Sequence, residues 1–369
     1  MKVAKEIVKK ILNGFRRRRH RQECLKLFRA NNNIHKKGSK NYEKRIQSYW
    51  KQHYGKKVNP IWHFACANVI GKEDERYLPH TTYINEIIPF LNDFLLKPAY
   101  IDKNMADVLL HDETIRMLNV IKCMHGNYYD KYNNPIDRNS IINILINDKV
   151  ESFIVKGTRT DNGVGIKNLE IINKNLYKNK KLIQIDDLEK IYGKEFVIQQ
   201  KMSQHPVLAE PHPSSLNTIR LATLRWEGEI FTLLAIAKFG VDGKITDNAG
   251  TEGIWCGINN EGLLNDSAVD KKGNHLRYHP TTGYDFKNRK TIPKFDELRE
   301  YGKKLHQQVY HFDFVSWDFP VDVNGNPVFL EMNLRGGASW LYQFASRKPI
   351  FDEFTKDILQ RIKSSASRS

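Results

Sequence analysis

The stretch FDFVSWDFPVDVNGNPVFLEMN, residues 312–333, constrains the fold of this chain more than any other part of its sequence. Two runs of strand-like residues flank Asn324-Gly325, a dipeptide that favours a two-residue type I′ turn between antiparallel strands. Such a turn fixes the pairing, so Asp318 is expected directly opposite Glu331, with Asn333 on the same face. The sequence therefore predicts a β-hairpin that gathers two carboxylates and an amide on one face.

The two carboxylates of this hairpin would repel each other if nothing lay between them. Carboxylate and amide oxygens are ligands that Mg²⁺ accepts, with phosphate oxygens completing its octahedron. We therefore interpret Asp318, Glu331 and Asn333 as ligands of a magnesium ion that also meets a phosphate. An exposed polar face of an edge hairpin would show the same alternation and remains the alternative.

A lysine and a glycine-bearing loop stand further upstream, in FIVKGTRTDNGVGI, residues 153–166. Lys156 ends a predicted strand, and Gly157, Gly163 and Gly165 follow in a polar loop. Such a loop can lay backbone N–H groups against phosphates while the lysine adds positive charge. The spacing matches neither a P-loop nor a dinucleotide-binding motif. Taken alone, the segment is also explained by an ordinary turn.

Short apolar runs with strand-like composition alternate with helical or loop stretches after about residue 100, which is the pattern of an α+β protein. We predict strands at Phe153 to Lys156, Glu195 to Gln199, Ile219 to Leu224, Ile230 to Ala237, Phe312 to Trp317 and Val328 to Met332. Prolines between residues 58 and 100 predict only short elements there. No internal repeat is visible.

The basic charge of the chain is concentrated at its N-terminus. Residues 1–57 hold 19 Lys and Arg against three acidic residues, which accounts for nearly all of the net charge of +17. Apolar residues from Val3 to Phe15 recur at helical spacing, and an arginine run, Arg16 to Arg19, follows. This pattern suits a helix lying on an anionic membrane surface. It equally suits a helix docked on the protein, whereas a nucleic-acid arm is less favoured because no aromatic residues are interleaved.

Taken together, these segments resemble the ATP-grasp superfamily, and more narrowly its sugar-transfer-associated branch, from about Tyr77 to the C-terminus. The resemblance rests on the order of these segments: YLPHTTYINEIIPFLND, Asp102-Lys103, FIVKGTRTDNGVGI, EFVIQQKMSQHPVL, SSLNTIRLAT, KFGVDGKITDNAGTEGI, HPTTGYDF and WDFPVDVNGNPVFLEMN. It implies an α+β ATP-grasp fold, in which two α+β subdomains clamp ATP. We expect a basic helical extension (1–57), a small N-terminal lobe (58–100) and an ATP-grasp domain (101–369) divided near residue 200.

The resemblance also implies roles for matching positions. Residues 157–166 resemble the flap over the triphosphate, and residues 195–202 resemble the hinge strand beside adenine. The ATP-binding residues that it implies are Lys103, Lys156, Gly163, Gly165, Gln199, Gln200 and Met202. Lys156 and Arg220 are the implied catalytic residues, and Arg220 resembles the arginine that meets the transferred phosphate, for which a planar guanidinium is well suited.

Two positions depart from the pattern of the branch. Lys238 stands where an arginine usually precedes Phe-Gly, and Thr251-Glu252-Gly253 replaces a double glycine. Both lie in the segment expected to face the acceptor substrate. No general base stands out, although His205, His212 and His279 are candidates.

The implied activity is that of a carboxylate–amine ligase that uses ATP and Mg²⁺ and forms an acyl phosphate. The implied substrates are a carboxylate and an amine, sugar-linked or lipid-linked, in surface-polysaccharide assembly. The alternatives are a kinase of the same fold and a non-catalytic nucleotide-binding or nucleic-acid-binding protein. Because no apolar run of about 20 residues and no signal peptide are present, we expect a cytoplasmic protein, with the basic N-terminus allowing contact with the inner face of the cell membrane.

Overall fold

The computed structural model describes residues 34, 36–110, 117, 119–148, 150–160, 165–247 and 252–366. The longer α-helices are α1 (Lys40–Tyr54), α2 (Ile61–Ile70), α3 (Ile141–Ile146), α4 (Ile185–Tyr192), α5 (Phe295–Gln307), α6 (Ser339–Ser346) and α7 (Thr355–Ala366). Shorter helical segments are His80–Thr82, Tyr83–Ile87, Ile88–Leu91, Lys97–Tyr100, Ala106–Leu109, Arg138–Ser140, Pro206–Ala209, Phe286–Asn288 and Asp352–Phe354. None of the described helices is long and apolar enough to cross a membrane.

The first sheet has eight strands in the order β3-β2-β1-β8-β4-β5-β6-β7. Its strands are β1 (Asn119–Met124), β2 (Asn127–Asp130), β3 (Pro135–Ile136), β4 (Ser152–Gly157), β5 (Lys167–Ile172), β6 (Asn175–Lys178), β7 (Lys181–Leu182) and β8 (Glu195–Gln200). All neighbouring pairs are antiparallel. One face packs on a core that includes Leu145 of α3 and Leu188 of α4.

The second sheet has seven strands in the order β13-β12-β11-β10-β9-β14-β15. They are β9 (Thr218–Trp226), β10 (Glu229–Phe239), β11 (Ile254–Ile258), β12 (Ala268–Val269), β13 (His275–Leu276), β14 (Phe314–Phe319) and β15 (Glu331–Asn333). These pairs are antiparallel as well. Antiparallel sheets with helices packed on their faces confirm the predicted α+β class.

The two faces of the second sheet have different neighbours because side chains alternate along a strand. Trp317 and Phe319 of β14 belong to the core under α5, where Gly302 allows close approach: a Cβ there would lie 2.4 Å from Leu221. Phe314 faces the other way, into a core shared with α1, α2, α6 and α7. Asp318 lies on the same face of the sheet as Phe314, but outside this core.

Helix α1 is amphipathic, and its apolar side is buried within the protein. The Ser39 hydroxyl caps its first turn, and Gly55 ends it with a φ of 83°. Tyr42, Ile46 and Trp50 recur at helical spacing and are fully buried. Of the basic extension, residues 40–54 are thus a helix docked on the core. The amphipathic segment 3–15 and the arginine run lie outside the described residues, and their contact with a membrane stays a prediction.

The predicted pairing of the C-terminal hairpin is confirmed, because Asp318 of β14 lies opposite Glu331 of β15. Nearer the turn, however, Val321 pairs with Pro327. Three steps along the chain separate Asp318 from Val321, whereas four separate Pro327 from Glu331. The second strand therefore carries one extra residue between these two pairs, which shifts its register as a β-bulge does.

The predicted type I′ turn at Asn324-Gly325 is wrong. That turn needs a positive φ at both residues, but only Gly325, at 83°, has one. The Gly325 N–H donates to the Asp322 carbonyl (2.9 Å), and the Asp322 N–H donates to the Asn326 carbonyl (2.9 Å). The result is a three-residue loop. The Asp322 carboxylate favours it by accepting hydrogen bonds from the N–H groups of Asn324 (2.9 Å) and Asn326 (2.8 Å).

Candidate functional site

A row of charged side chains crosses four neighbouring strands of the second sheet. Arg220 of β9 lies opposite Asp318 of β14, and Asp318 lies opposite Glu331 of β15. Lys238 of β10 lies opposite Thr218, two residues before Arg220. Because directly opposite residues share a face, the sheet arranges these side chains in the order Lys238, Arg220, Asp318 and Glu331.

Asp318 is the most heavily bonded member of this row. Its carboxylate accepts two hydrogen bonds from Arg220, Nε to Oδ1 (2.8 Å) and Nη2 to Oδ2 (2.6 Å). Lys238 Nζ lies 3.0 Å from Oδ2, and Asn333 Nδ2 lies 3.2 Å from the same atom. Burial alone would raise the pKa of Asp318, but Arg220 and Lys238 outweigh it and hold this pKa well below its usual range. Asp318 is therefore ionised throughout the physiological range.

Glu331 has the opposite electrostatic environment. Burial and the neighbouring charge of Asp318 raise its pKa, and the ammonium groups of Lys103 and Lys156 only partly oppose that effect. Among the described residues no side chain donates a hydrogen bond to Glu331. A half-buried carboxylate with free acceptor oxygens beside a second carboxylate is an arrangement that a cation would stabilise.

The residues of the hairpin fit a magnesium ion bound together with phosphates. Mg²⁺ in proteins is usually held by one or two carboxylates plus substrate phosphates and water. Glu331 offers free oxygens, and Asn333 turns its amide nitrogen to Asp318, which leaves its carbonyl oxygen as an acceptor. Among the described residues, no group of three or more His, Cys, Asp and Glu side chains is arranged to hold a metal ion.

The two predicted phosphate-binding lysines lie together across the cleft from this row. Lys156 on β4 is only 4% exposed, and burial, followed by the charge of Lys103, lowers its pKa to about 8. Lys103 donates to the carbonyls of Thr158 (3.3 Å) and Thr160 (2.7 Å), which anchors it next to β4. Lys103, Lys156, Asp318 and Glu331 all line one cleft between the two sheets.

The predicted adenine-binding residues divide between two faces of the first sheet. Gln199 on β8 lines the cleft and donates to the Asn119 side chain at 2.5 Å. Its neighbour Gln200 instead donates to Asp148. Met202 lies beyond the end of β8 and is half-buried. The structure thus brings Gln199 to the cleft lining but neither Gln200 nor Met202, and their contact with adenine stays a prediction.

Only part of the glycine loop belongs to the described residues. Gly163 lies outside them. Gly165 has a φ of 77°, and its carbonyl accepts a hydrogen bond from the Tyr192 hydroxyl (2.6 Å). Ile166, directly after it, lines the cleft. The role of the loop as a flap stays a prediction.

Two residues of the site, Lys238 and Asp247, were not among the predicted catalytic, ATP-binding or metal-binding residues. Lys238 Nζ lies 3.5 Å from Asp247 and 3.0 Å from Asp318, so one buried ammonium joins two carboxylates. Asp247 also accepts a hydrogen bond from the Thr218 hydroxyl, and burial raises its pKa. The one sequence feature that pointed to Lys238 was that it stands where the family branch usually has an arginine. Thr251 of the second departure lies outside the described residues.

The three candidate histidines do not line the cleft. His212 and His279 are buried and stack on each other with ring centroids 5.3 Å apart. Burial lowers the pKa of His279 to about 4. His205 accepts from the Val207 N–H at 3.2 Å and so caps the short helix Pro206–Ala209. All three have structural contacts that explain their presence.

Comparison with known proteins gives one family match. The model described as sugar-transfer associated ATP-grasp matches residues 83–359, a range that includes the described cleft residues. A search of curated proteins gives no match.

Several solved structures resemble the fold. The VanG D-Ala:D-Ser ligase from Enterococcus faecalis is 13% identical, with a TM-score of 0.43, over 74% of this chain and 63% of that chain. The D-alanyl-alanine synthetase A from Vibrio cholerae is 10% identical, with a TM-score of 0.40, over 73% and 66%. The L-amino acid ligase from Bacillus licheniformis is 12% identical, with a TM-score of 0.38, over 71% and 47%. This chain thus spans less than two thirds of each of them, and at these values the likeness carries no information about substrates.

Proposed function

The chain belongs to the sugar-transfer-associated ATP-grasp family, and on that basis we propose that it is an ATP-dependent, ADP-forming carboxylate–amine ligase. The observation that carries this proposal is the row of Lys238, Arg220, Asp318 and Glu331. Three of its members, Lys238, Asp318 and Glu331, line the cleft together with Lys156, and Arg220 is bonded directly to Asp318. The arrangement supports phosphoryl transfer because cations are fixed where phosphate charge must be neutralised. It also supports magnesium binding, since carboxylates stand beside those cations.

In the proposed reaction, a substrate carboxylate attacks the γ-phosphorus of ATP, and ADP leaves. An amine then attacks the acyl carbon of the acyl phosphate, an amide forms, and inorganic phosphate leaves with a proton from the amine. Lys103 and Lys156 bind phosphate oxygens. Arg220 uses Nε and Nη2 for Asp318, and no described residue bonds its Nη1, which would therefore be the nitrogen that meets an oxyanion.

Magnesium has a defined place in this proposal. Asp318, Glu331 and Asn333 would hold it, and it would add positive charge next to the transferred phosphoryl group. The free oxygens of Glu331 and the raised pKa of this carboxyl support that assignment. Asp318 contributes a second negative charge while keeping Arg220 in position.

A direct test measures ADP release and acyl-phosphate formation. Purified protein is incubated with Mg-ATP, a panel of carboxylic acids and hydroxylamine, which converts an acyl phosphate to a stable hydroxamate. We expect hydroxamate and ADP in equal amounts with the correct acid and neither product with Glu331→Gln. Glu229→Gln, an exposed residue of β10, is the matched control and should retain activity.

The same assay separates the alternatives. A kinase would release ADP without an amine and leave a stable phosphorylated product that hydroxylamine does not capture. A non-catalytic nucleotide-binding protein would bind Mg-ADP without turnover of ATP. Absence of nucleotide binding by the unmodified protein would contradict the proposal altogether.

We further propose that one substrate is sugar-linked or lipid-linked and that the basic N-terminus brings the enzyme to the membrane surface. The family description and the concentration of positive charge in residues 1–57 support this proposal. Because Ile46 and Trp50 of α1 are buried, the informative deletion removes only residues 1–33. We expect the deletion to abolish binding to anionic vesicles while ADP binding is retained. Unchanged vesicle binding would contradict the membrane proposal and leave the ligase proposal intact.

A further inference from the structure

The strand that carries two of the proposed metal ligands is short and lies at the edge of its sheet. Strand β15 is three residues long, and β14 is its only partner strand among the residues that the structure describes. Its pairing begins at Asp318–Glu331 and ends at Ser316–Asn333. The charge of Asp318 opposes that of Glu331 at one end of this short ladder, so any further restraint on the strand helps to hold the two carboxylates together.

The side chain of Asn92 supplies hydrogen bonds where this ladder ends. Its Nδ2 donates to the carbonyls of Phe314 (2.8 Å) and Leu334 (2.8 Å), and its Oδ1 accepts from the Phe314 N–H (3.0 Å). Leu334 directly follows the proposed metal ligand Asn333. Asn92 is only 4% exposed. The buried amide of Asn92 therefore links β14 to Leu334, the residue directly after β15. It takes the place of one more backbone hydrogen bond between the two strands.

A second contact from the same segment holds the chain two residues later. The Tyr83 hydroxyl donates to the Gly336 carbonyl at 2.7 Å. Gly336 has a φ of 76°, and a Cβ there would lie 2.6 Å from that hydroxyl. Tyr83 and Asn92 thus each donate a hydrogen bond to the segment that follows Asn333, at Gly336 and at Leu334. Neither side chain lines the cleft between the two sheets.

We propose that Asn92 is a positioning residue for the metal site. By tying Leu334 to β14, it keeps Glu331 and Asn333 close to Asp318 when no metal offsets the repulsion between the carboxylates. This inference rests on the magnesium site of the proposed function. Partners that orient metal ligands without touching the metal commonly change metal affinity by about 10-fold to 100-fold when they are removed, and we expect a change of that size here.

The test compares Asn92→Ala with a matched buried amide. Gln343 is fully buried and exchanges hydrogen bonds with the Leu78 N–H (2.8 Å) and carbonyl (3.3 Å), but it contacts neither β14 nor β15 by a hydrogen bond. ADP binding is titrated by calorimetry in EDTA and at increasing Mg²⁺. For Asn92→Ala, we expect about 10-fold to 100-fold more Mg²⁺ to be needed for tight ADP binding, with unchanged affinity in EDTA. Gln343→Ala should lower the melting temperature without moving the Mg²⁺ dependence.

Two further variants complete the design. Tyr83→Phe removes one hydrogen bond and should raise the Mg²⁺ requirement by a smaller factor. If Asn92→Ala does not fold, Asn92→Leu takes its place, since it keeps a side chain of similar shape without charge and loses the donated bonds to Phe314 and Leu334. Equal Mg²⁺ dependence in the Asn92 and Gln343 variants would overturn the inference and leave the ligase proposal standing. If the unmodified protein bound ADP without any response to Mg²⁺, both would be overturned.

Discussion

Glu331 and Asp318 are neighbouring carboxylates whose neutralisation should change stability in opposite directions. In the metal-free protein, burial and Asp318 raise the pKa of Glu331. The folded state then binds a proton more tightly than the unfolded state, so the ionised form costs stability once the pH exceeds the unfolded pKa of about 4.3. Glu331→Gln removes this charge at constant shape. We expect a gain on the order of 0.2–1 kcal/mol at pH 7, the range for cross-strand pairs.

Asp318→Asn should have the reverse effect. The pKa of Asp318 is depressed by Arg220 and Lys238 against the effect of burial. Its contribution to stability is present above the unfolded pKa of about 3.9 and is lost as the pH falls through the lower folded pKa. The Asn variant leaves Arg220 and Lys238 buried without their shared counter-charge. Breaking a buried ion pair in this way costs about 3–5 kcal/mol.

Urea unfolding in EDTA, followed by circular dichroism, measures both effects as a shift of the midpoint at constant slope. The gain from Glu331→Gln should disappear at about pH 4, where the glutamate of the unmodified protein is protonated. A loss of more than about 1 kcal/mol for Glu331→Gln would refute the reasoning, since it would mean that Lys103 and Lys156 stabilise Glu331 more than burial and Asp318 oppose it.

Three further predictions concern the same site. Because the pKa of Lys156 is lowered to about 8, ADP affinity should fall as the pH rises through and above that value, and Lys156→Arg should abolish this fall in titrations at several pH values. Lys238→Met should cost about 3–5 kcal/mol in urea unfolding because Asp247 loses its buried partner, whereas Lys238→Arg should cost much less. Gly336→Ala and the control Gly71→Ala both place alanine at a positive φ, which costs about 1–2 kcal/mol. Only at Gly336 would the added Cβ also clash with the Tyr83 hydroxyl. The melting temperature of Gly336→Ala should therefore fall further than that of Gly71→Ala.

The hairpin shows that the pairing of two site residues can be predicted correctly even when the turn between them is predicted incorrectly. The predicted turn was wrong by one residue, yet Asp318 still faces Glu331, because an extra residue in the second strand compensates. A shift of one residue would move Trp317 out of the core and Asp318 into it. Burial of Trp317 thus keeps the pairing that local turn chemistry did not determine.

The partners of Asp318 were beyond the reach of the sequence. Arg220 lies 98 positions away and Lys238 lies 80 positions away. They meet Asp318 only because β14 is placed beside β9 in the sheet, and neither composition nor periodicity contains that strand order. The same holds for Asn92, whose contacts with Phe314 and Leu334 span more than two hundred residues. Local patterns predicted the type of site, and sheet topology supplied the remaining neighbours.

The packing of α1 against α7 has a consequence for synthesis of the chain. Lys363 of α7 donates to the Gln52 carbonyl of α1 (3.1 Å), and Gln360 bonds with His53 (3.2 Å). The core that buries Trp50 also contains Leu359. On the ribosome, the apolar side of α1 emerges some three hundred residues before these partners do. We therefore expect the apolar side of α1 to be covered by a chaperone or by non-native contacts until α7 has been translated. Truncated chains that end before Thr355 should be degraded rather than accumulate as folded fragments.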